Sequence, residues 1–131
     1  MDSWKVLLVD DEIEFAAALA ERLNLRGMTT TTANNGEDAL RCMERDRPQI
    51  VVLDLKMPGM GGMELLRLIK QKCPSIPVIL LTGQSSSKEG ADGLDGGAFD
   101  IMVKPVRIEE LMQKMREAMG QTRSATSGEK G

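Results

Sequence analysis

The chain of 131 residues carries 17 basic and 20 acidic side chains, a net charge of −3, two cysteines and no histidine. Such a length suits one domain with a full core. No apolar stretch approaches the roughly 20 residues that span a bilayer, and Met1-Asp2-Ser3-Trp4-Lys5 runs into the first apolar segment without a signal peptide, so a cytoplasmic protein is expected. The absence of a basic run or an aromatic platform argues against nucleic-acid binding by this domain alone, and the absence of histidine removes the commonest general base, the triads built on it and any phosphohistidine of the chain's own.

Strand and helix patterns alternate throughout, which predicts an α/β fold with right-handed crossovers and helices on both sheet faces. Strands are expected near residues 5–10, 28–33, 50–54, 77–82 and 100–104. The first helix follows Asp11, places Ala16, Leu19, Ala20 and Leu23 on one face and ends at Gly27. The second strand, Met28-Thr29-Thr30-Thr31-Thr32-Ala33, is β-branched but polar and suits a sheet edge. Asn35 is a good N-cap for a second helix that turns Ala39, Leu40 and Met43 inward and stops before Pro48. A third helix from about Gly62 to Lys72 packs Leu65, Leu66 and Ile69, and Pro74 closes it.

The fourth helix is weak in its sequence. Ser86 and Glu89 have capping-box spacing, yet Gly90, Gly93, Gly96 and Gly97 follow, each costing on the order of 1 kcal/mol against alanine. It should be short or mobile. The last helix repeats apolar residues at Ile108, Leu111, Met112, Met115, Ala118 and Met119. The domain is therefore set at residues 1–121, with 122–131, small and polar, as a flexible tail or linker. Cys42 and Cys73 fall on apolar faces of different helices without a CxxC spacing, and are expected to be small buried hydrophobes rather than a metal site or a disulfide.

Chemistry enters at the strand ends. Val6-Leu7-Leu8-Val9 runs into Asp10-Asp11, Ile50-Val51-Val52-Leu53 into Asp54, Val78-Ile79-Leu80-Leu81 into Thr82-Gly83, and Ile101-Met102-Val103 into Lys104-Pro105. Near-continuous apolar runs read as strands buried on both faces of a parallel sheet, and ligands of such sheets bind beyond the strands' carboxyl ends. Each residue has an ordinary reading alone: Asp10 and Asp11 as helix caps, Asp54 before a Pro-Gly turn, Thr82-Gly83 as a turn, Lys104 as a surface lysine. Together they converge on one place. Three uncompensated carboxylates would raise one another's pKa values and so call for a cation, for which oxygen-loving Mg²⁺ is suited. Lys104 adds a positive charge and Thr82 a hydroxyl, the parts needed to transfer a phosphoryl group to a carboxylate.

With these motifs in place, the chain resembles a response-regulator receiver domain of bacterial two-component signalling from Lys5 to about Gly120. Val9-Asp10-Asp11-Glu12, Asp54-Leu55-Lys56-Met57-Pro58-Gly59, Leu81-Thr82-Gly83 and Val103-Lys104-Pro105 occur in that family's order and spacing. The resemblance implies a flavodoxin-like (βα)5 doubly wound sandwich with a parallel sheet of order 2-1-3-4-5. It implies that Asp54 accepts a phosphoryl group from a sensor histidine kinase or phosphotransfer protein, and that Asp11, Asp54 and the backbone carbonyl of Lys56 bind Mg²⁺ with Asp10 assisting through water. It further implies that Lys104 pairs with the phosphate, that Thr82 hydrogen-bonds it, and that Lys104-Pro105 is cis. The chain would catalyse only its own phosphorylation and dephosphorylation. Its readout would be the face of the fourth helix, fifth strand and fifth helix, offered to an output domain, a downstream protein or a second copy of the chain.

Four positions depart from the family pattern or tune it. Ile101 stands where the rotameric partner of the switch threonine is often aromatic, so it can fill the space Thr82 vacates but cannot move a hydroxyl. Gly61-Gly62 replaces a common Asp-Gly, which removes an N-cap from the third helix and should loosen that loop. Lys56 and Gln84 lie two residues past Asp54 and Thr82, where side chains either tune phosphoryl lifetime or point to solvent. Two rival readings remain in view. A haloacid-dehalogenase-like phosphatase wants a second aspartate where Lys56 stands, and a flavodoxin-like binding module would use the acidic cluster only for structure.

Overall fold

The structure is a computed structural model that describes the backbone of residues 3–57, 59–83 and 87–127, with side chains outside 84–90 and 121–131. The first strand, β1 (Lys5–Val9), is followed by α1 (Ile13–Leu25), β2 (Thr29–Ala33), α2 (Gly36–Arg45) and β3 (Ile50–Asp54). Then come α3 (Gly62–Lys72), β4 (Val78–Thr82), α4 (Ser87–Asp95), β5 (Asp100–Val103) and α5 (Ile108–Ser127). All neighbouring strands pair in parallel, in the order β2-β1-β3-β4-β5. The polar strand β2 is at an edge, with its side chains exposed along most of its length.

Strand side chains alternate between two cores, as the two-residue pleat requires. Val6, Leu8, Ile50, Val52, Ile79 and Leu81 face α1 and α5, while Leu7, Val9, Val51, Leu53, Val78 and Leu80 face α2 and α3. The predicted inward faces of α1, α3 and α5 are buried, through Ala16, Leu19, Ala20 and Leu23, through Leu65, Leu66 and Ile69, and through Ile108, Leu111, Met112, Met115 and Ala118. Asn35 caps α2 by accepting the Asp38 N–H at 2.8 Å. Trp4 lies half-buried just before β1, at the end of that strand away from Asp10.

Several expectations change against the structure. The strand β5 is not buried on both faces: Ile101 and Met102 are half-buried and Val103 is 47% exposed, because β5 is the second sheet edge and has only β4 beside it. Cys42 and Cys73 are half-buried free thiols against the α2–α3 core rather than fully enclosed ones. The helix α5 continues past Gln121 to Ser127, into the stretch assigned to a tail, where the sequence has neither glycine nor proline to end it. Ser86, Gln84 and Pro58, and with them the capping box, lie outside the described residues.

Two glycines stand at close approaches, one against a side-chain tip and one against backbone. Gly93 lets α4 settle on Leu80, whose Cδ1 would collide with a Cβ there, so at least one glycine of this helix serves packing as well as weakening the helix. Gly62 matters more for the site. A Cβ on it would lie 2.5 Å from the carbonyl oxygen of Asp54 and 2.6 Å from Leu55 Cα, and the Gly62 N–H donates to the Leu55 carbonyl at 3.1 Å. The loop after β3 is thus pinned at Gly62 instead of loosened, although Gly61 gives α3 no side-chain cap, as expected. Backbone cannot yield as a side-chain tip can, so Gly62→Ala should cost about 2 kcal/mol or more. By contrast Gly61→Ala, with nothing within 4 Å of the new methyl, should stay within about 1 kcal/mol of wild type. Urea titration of both variants decides the matter, and an unshifted midpoint for Gly62→Ala would contradict the tight approach.

Candidate functional site

Register in the sheet places the site. Val9 pairs with Leu53, so Asp10 and Asp54, one residue on, emerge side by side; Asp54 pairs with Leu81, and Thr82 with Val103. The backbone of each is anchored across the strands. Asp10 N–H donates to the Ala33 carbonyl at 3.0 Å, Leu55 N–H to the Leu81 carbonyl at 2.9 Å, and Lys104 N–H to the Thr82 carbonyl at 2.7 Å. Asn34 Nδ2 donates to the Asp10 carbonyl at 3.0 Å and holds the turn from the other side. The Lys104-Pro105 peptide is cis.

Asp10, Asp11 and Asp54 come together with carboxylate oxygens all within 4.8 Å of one another. Asp10 and Asp54 are 0% and 4% exposed, and Thr82 is 2% exposed, whereas Asp11 is half-buried at the mouth. Over them lies an open depression of about 530 Å³, walled also by Glu12, Phe15, Lys56, Gly83, Lys104 and Pro105. Asp10 does not cap α1 in the usual way. Its Oδ1 accepts the Glu12 N–H at 2.9 Å, within the turn that precedes the helix, and Glu12 is the N-cap.

The Lys104 ammonium is drawn into this acidic group. Lys104 Nζ is 2.8 Å from Asp10 Oδ2, 2.7 Å from Glu12 Oε1 and 3.6 Å from Asp54 Oδ2, and lies 4.6 Å above the centre of the Phe15 ring. Burial, the largest single influence, would lower its pKa, but the Asp10 and Glu12 carboxylates beside it and the Asp54 charge together outweigh that and hold it above the ordinary lysine range. For Asp54 the balance goes the other way. Burial first, then the Asp10 charge, push its carboxyl up to about 6 against the opposing pull of Lys104 and of the Lys56 N–H, which donates to Oδ1 at 3.3 Å. From the sequence, mutual repulsion is the expected main cause of such a rise, whereas in the structure burial leads.

Four carboxylates against the Lys104 ammonium and the exposed Lys56 at the rim leave the depression net negative. Three hard oxygen donors of this kind fit a divalent cation of the same character. Asp10, Asp11, Asp54 and Lys104 are brought together, Thr82 ends the strand beside Asp54, and Gln84 lies outside the described residues. Ile101 packs in the α3-side core, on the face of the sheet where its partner Leu80 also lies, one pleat from Thr82. Lys56 is exposed at the rim. Glu12 and Phe15 were missed as site residues. Glu12 was legible only as part of Val9-Asp10-Asp11-Glu12, and no spacing rule says that Phe15 turns its ring to the lysine.

Residues 6–116 match the response regulator receiver domain family. Among characterised relatives, the response regulator MprA of Mycobacterium leprae is 34% identical over 125 residues, which cover 95% of this chain and 55% of that one. The probable transcriptional regulatory protein TcrX of Mycobacterium tuberculosis is 36% identical over 117 residues, 89% of this chain and 50% of its own. The chain thus spans about half the length of the curated relatives it matches. Similar solved structures include the receiver domain of Francisella response regulator 1452, with 29% identity, a TM-score of 0.83 and 91% and 98% of the two chains covered. The CheY-like receiver domain protein of Methanospirillum hungatei has 25% identity, a TM-score of 0.88 and 95% and 99% coverage. Sheet order, strand-end carboxylates and these likenesses agree: the chain belongs to the response-regulator receiver domain family.

Proposed function

We propose that the chain is a phosphoacceptor switch in which Asp54 takes a phosphoryl group from a phosphohistidine on a sensor kinase or phosphotransfer protein. The observation that supports this is the convergence of Asp10, Asp11 and Asp54 within 4.8 Å beside the Lys104 ammonium. In the transfer an Asp54 carboxylate oxygen forms the new bond to phosphorus, the phosphorus–nitrogen bond breaks, and the released imidazole takes a proton from water. Asp54 must be ionised to attack, and a pKa of about 6 leaves it so at neutral pH. Lys104 supplies positive charge to the transferred group and Thr82 a hydroxyl donor, the positioning and charge neutralisation on which phosphoryl transfer depends.

Asp11 and Asp54, with the Lys56 backbone carbonyl and with Asp10 through water, would hold Mg²⁺, which when bound neutralises charge on both carboxylate and phosphate. The added charge of about −1.5 to −2 on Asp54 draws Thr82 and Lys104 inward. Ile101 refills the space behind Thr82, and α4, β5 and α5 change the face they present to an output domain, a downstream protein or a second copy. Lys56 and Gln84 then tune phosphoryl lifetime. Among the described residues no helix is long and apolar enough to cross a membrane.

Incubation with acetyl phosphate and Mg²⁺, followed on a phosphate-affinity gel beside Asp54→Asn, tests the reading directly. Uptake should require Mg²⁺ and vanish in the variant. No uptake in either protein, with the fold intact, would leave a binding module whose acidic cluster serves structure.

The pH dependence of stability provides a second test. A carboxyl raised from 3.8 to about 6 keeps its proton longer in the folded than in the unfolded chain, so its ionisation opposes folding as pH rises through that window. Asp100 has the opposite sign, because burial, its largest single influence, is outweighed by the Lys114 hydrogen bond, the Ile101 N–H and the Lys114 charge together, which lower its pKa; the comparison is therefore best made as wild type against Asp54→Asn. Without Mg²⁺ the variant should be more stable by roughly 2 to 3 kcal/mol at pH 7, since each pH unit separating the folded and unfolded pKa values is worth about 1.36 kcal/mol, and most of that gap should close near pH 4. A gap that is the same at both pH values would rule out the raised pKa. Low helicity in glycine-rich α4 should also leave its amides weakly protected from hydrogen exchange before phosphorylation, and strong protection there would contradict a mobile readout face.

A further inference from the structure

Glu12 holds an unusual place at this site. It is the N-cap of α1, with an extended backbone (φ −82°, ψ 94°), where a polar side chain ordinarily accepts a bond from an amide of the first turn, yet its carboxylate makes no cap bond. Its backbone is fixed instead by Asp10, through the Glu12 N–H, and by the Ala16 N–H donating to its carbonyl at 2.9 Å. The side chain, 62% exposed, crosses to Lys104, whose own side chain is only 13% exposed. Phe15 closes the ammonium's remaining side with its ring.

An ammonium has three donors. One donates to Glu12 Oε1 at 2.7 Å, Asp10 Oδ2 is held as an ion pair at 2.8 Å, and Asp54 Oδ2 stands off at 3.6 Å. A phosphoryl group on Asp54 brings three acceptor oxygens and more charge than Glu12 carries, so once the third donor is taken up, any second bond to the phosphoryl group draws a donor from Glu12 or Asp10. Asp10 is fully buried and would be left uncompensated if abandoned, whereas Glu12 is solvated as soon as it is released.

We propose that Glu12 is a positioning residue that competes with the incoming phosphoryl group for Lys104, holding the ammonium at the rim in the resting protein and slowing its engagement with the phosphoryl oxygens. The proposal rests on the reading of Asp54 as phosphoacceptor. Its test compares Glu12→Gln with Glu14→Gln, which removes the same charge from an exposed residue of the same helix without a contact to Lys104. Uptake from acetyl phosphate with Mg²⁺ is followed at low salt and at about 1 M salt, where the screening length falls to about 3 Å and a general field effect disappears.

Glu12→Gln should take up phosphoryl groups about three- to tenfold faster than wild type at both salt concentrations, roughly 0.6 to 1.4 kcal/mol of barrier, while any gain in Glu14→Gln should be lost at high salt. In the unphosphorylated protein, ¹⁵N-lysine labelling should show the Lys104 side-chain signals shifted by Glu12→Gln and unmoved by Glu14→Gln, which a structural role for Glu12 in the helix start would not produce. Equal rates for the two variants at high salt, or slower uptake in Glu12→Gln, overturn the proposal while leaving the phosphoacceptor reading intact. Absence of uptake in wild type overturns both.

Discussion

The structure turns on the unequal charge balance at the carboxyl end of the sheet. At an effective dielectric of about 20, two carboxylates within 4.8 Å repel by about 3 kcal/mol or more, and Asp10, Asp11 and Asp54 form three such pairs. Lys104 offsets part of this through Asp10 and Glu12, but it stands farther from Asp54 than from either. Asp54, buried and farther from the ammonium, has its carboxyl pKa raised, by burial first and by the Asp10 charge second. A fold selected only for stability would replace one of these aspartates with a neutral residue. Retained repulsion at a buried site is the kind of local conflict that functional sites carry and that the rest of the fold must support.

Support comes from the strands. Parallel pairing sets adjacent chains about 4.8 Å apart, so residues that follow paired positions in β1 and β3 must emerge as neighbours whatever their charge. The cross-strand amide bonds at Asp10, Leu55 and Lys104 hold the backbone of this end against the repulsion of its side chains. Gly62 does the same for the loop beyond Asp54, by allowing the start of α3 to rest directly on the Asp54 carbonyl and Leu55. The apolar runs before each polar ending are therefore part of the site: their burial anchors the strands from which the carboxylates project.

Much of this was legible in the sequence because it depends on period and punctuation. The two-residue alternation of Val6 to Val9 and Ile50 to Leu53, the helical spacing of Leu65, Leu66 and Ile69, and the Asn35 cap are local signals, and each reappears in the structure. What was illegible depends on neighbours distant in sequence. The apolar run Ile101-Met102-Val103 reads as a fully buried strand, but an edge position leaves Val103 exposed, and only the sheet order reveals the edge. Gly62 reads as a missing cap until the backbone of Asp54 is seen against it. Glu12 reads as a helix-start acid, and its pairing with a lysine 92 residues away is a tertiary fact.

The lysine also joins the site to the sheet edge. Lys104 follows β5 directly, and its N–H is bonded to the carbonyl of Thr82, so its backbone is tied to β4 while its side chain is tied to β1 and the start of α1. Any redistribution of its donors toward Asp54 pulls on both ties. On the β5 side there is little to resist, since that strand has a single neighbour and half-buried side chains, with the Lys114–Asp100 ion pair at 2.7 Å joining it to α5. On the β1 side the Asp10 backbone is bonded to Ala33 and Asn34 and is fully enclosed. Of the two ends to which this lysine is tied, the β5 edge is therefore the less constrained, because one strand partner holds it where β1 has two.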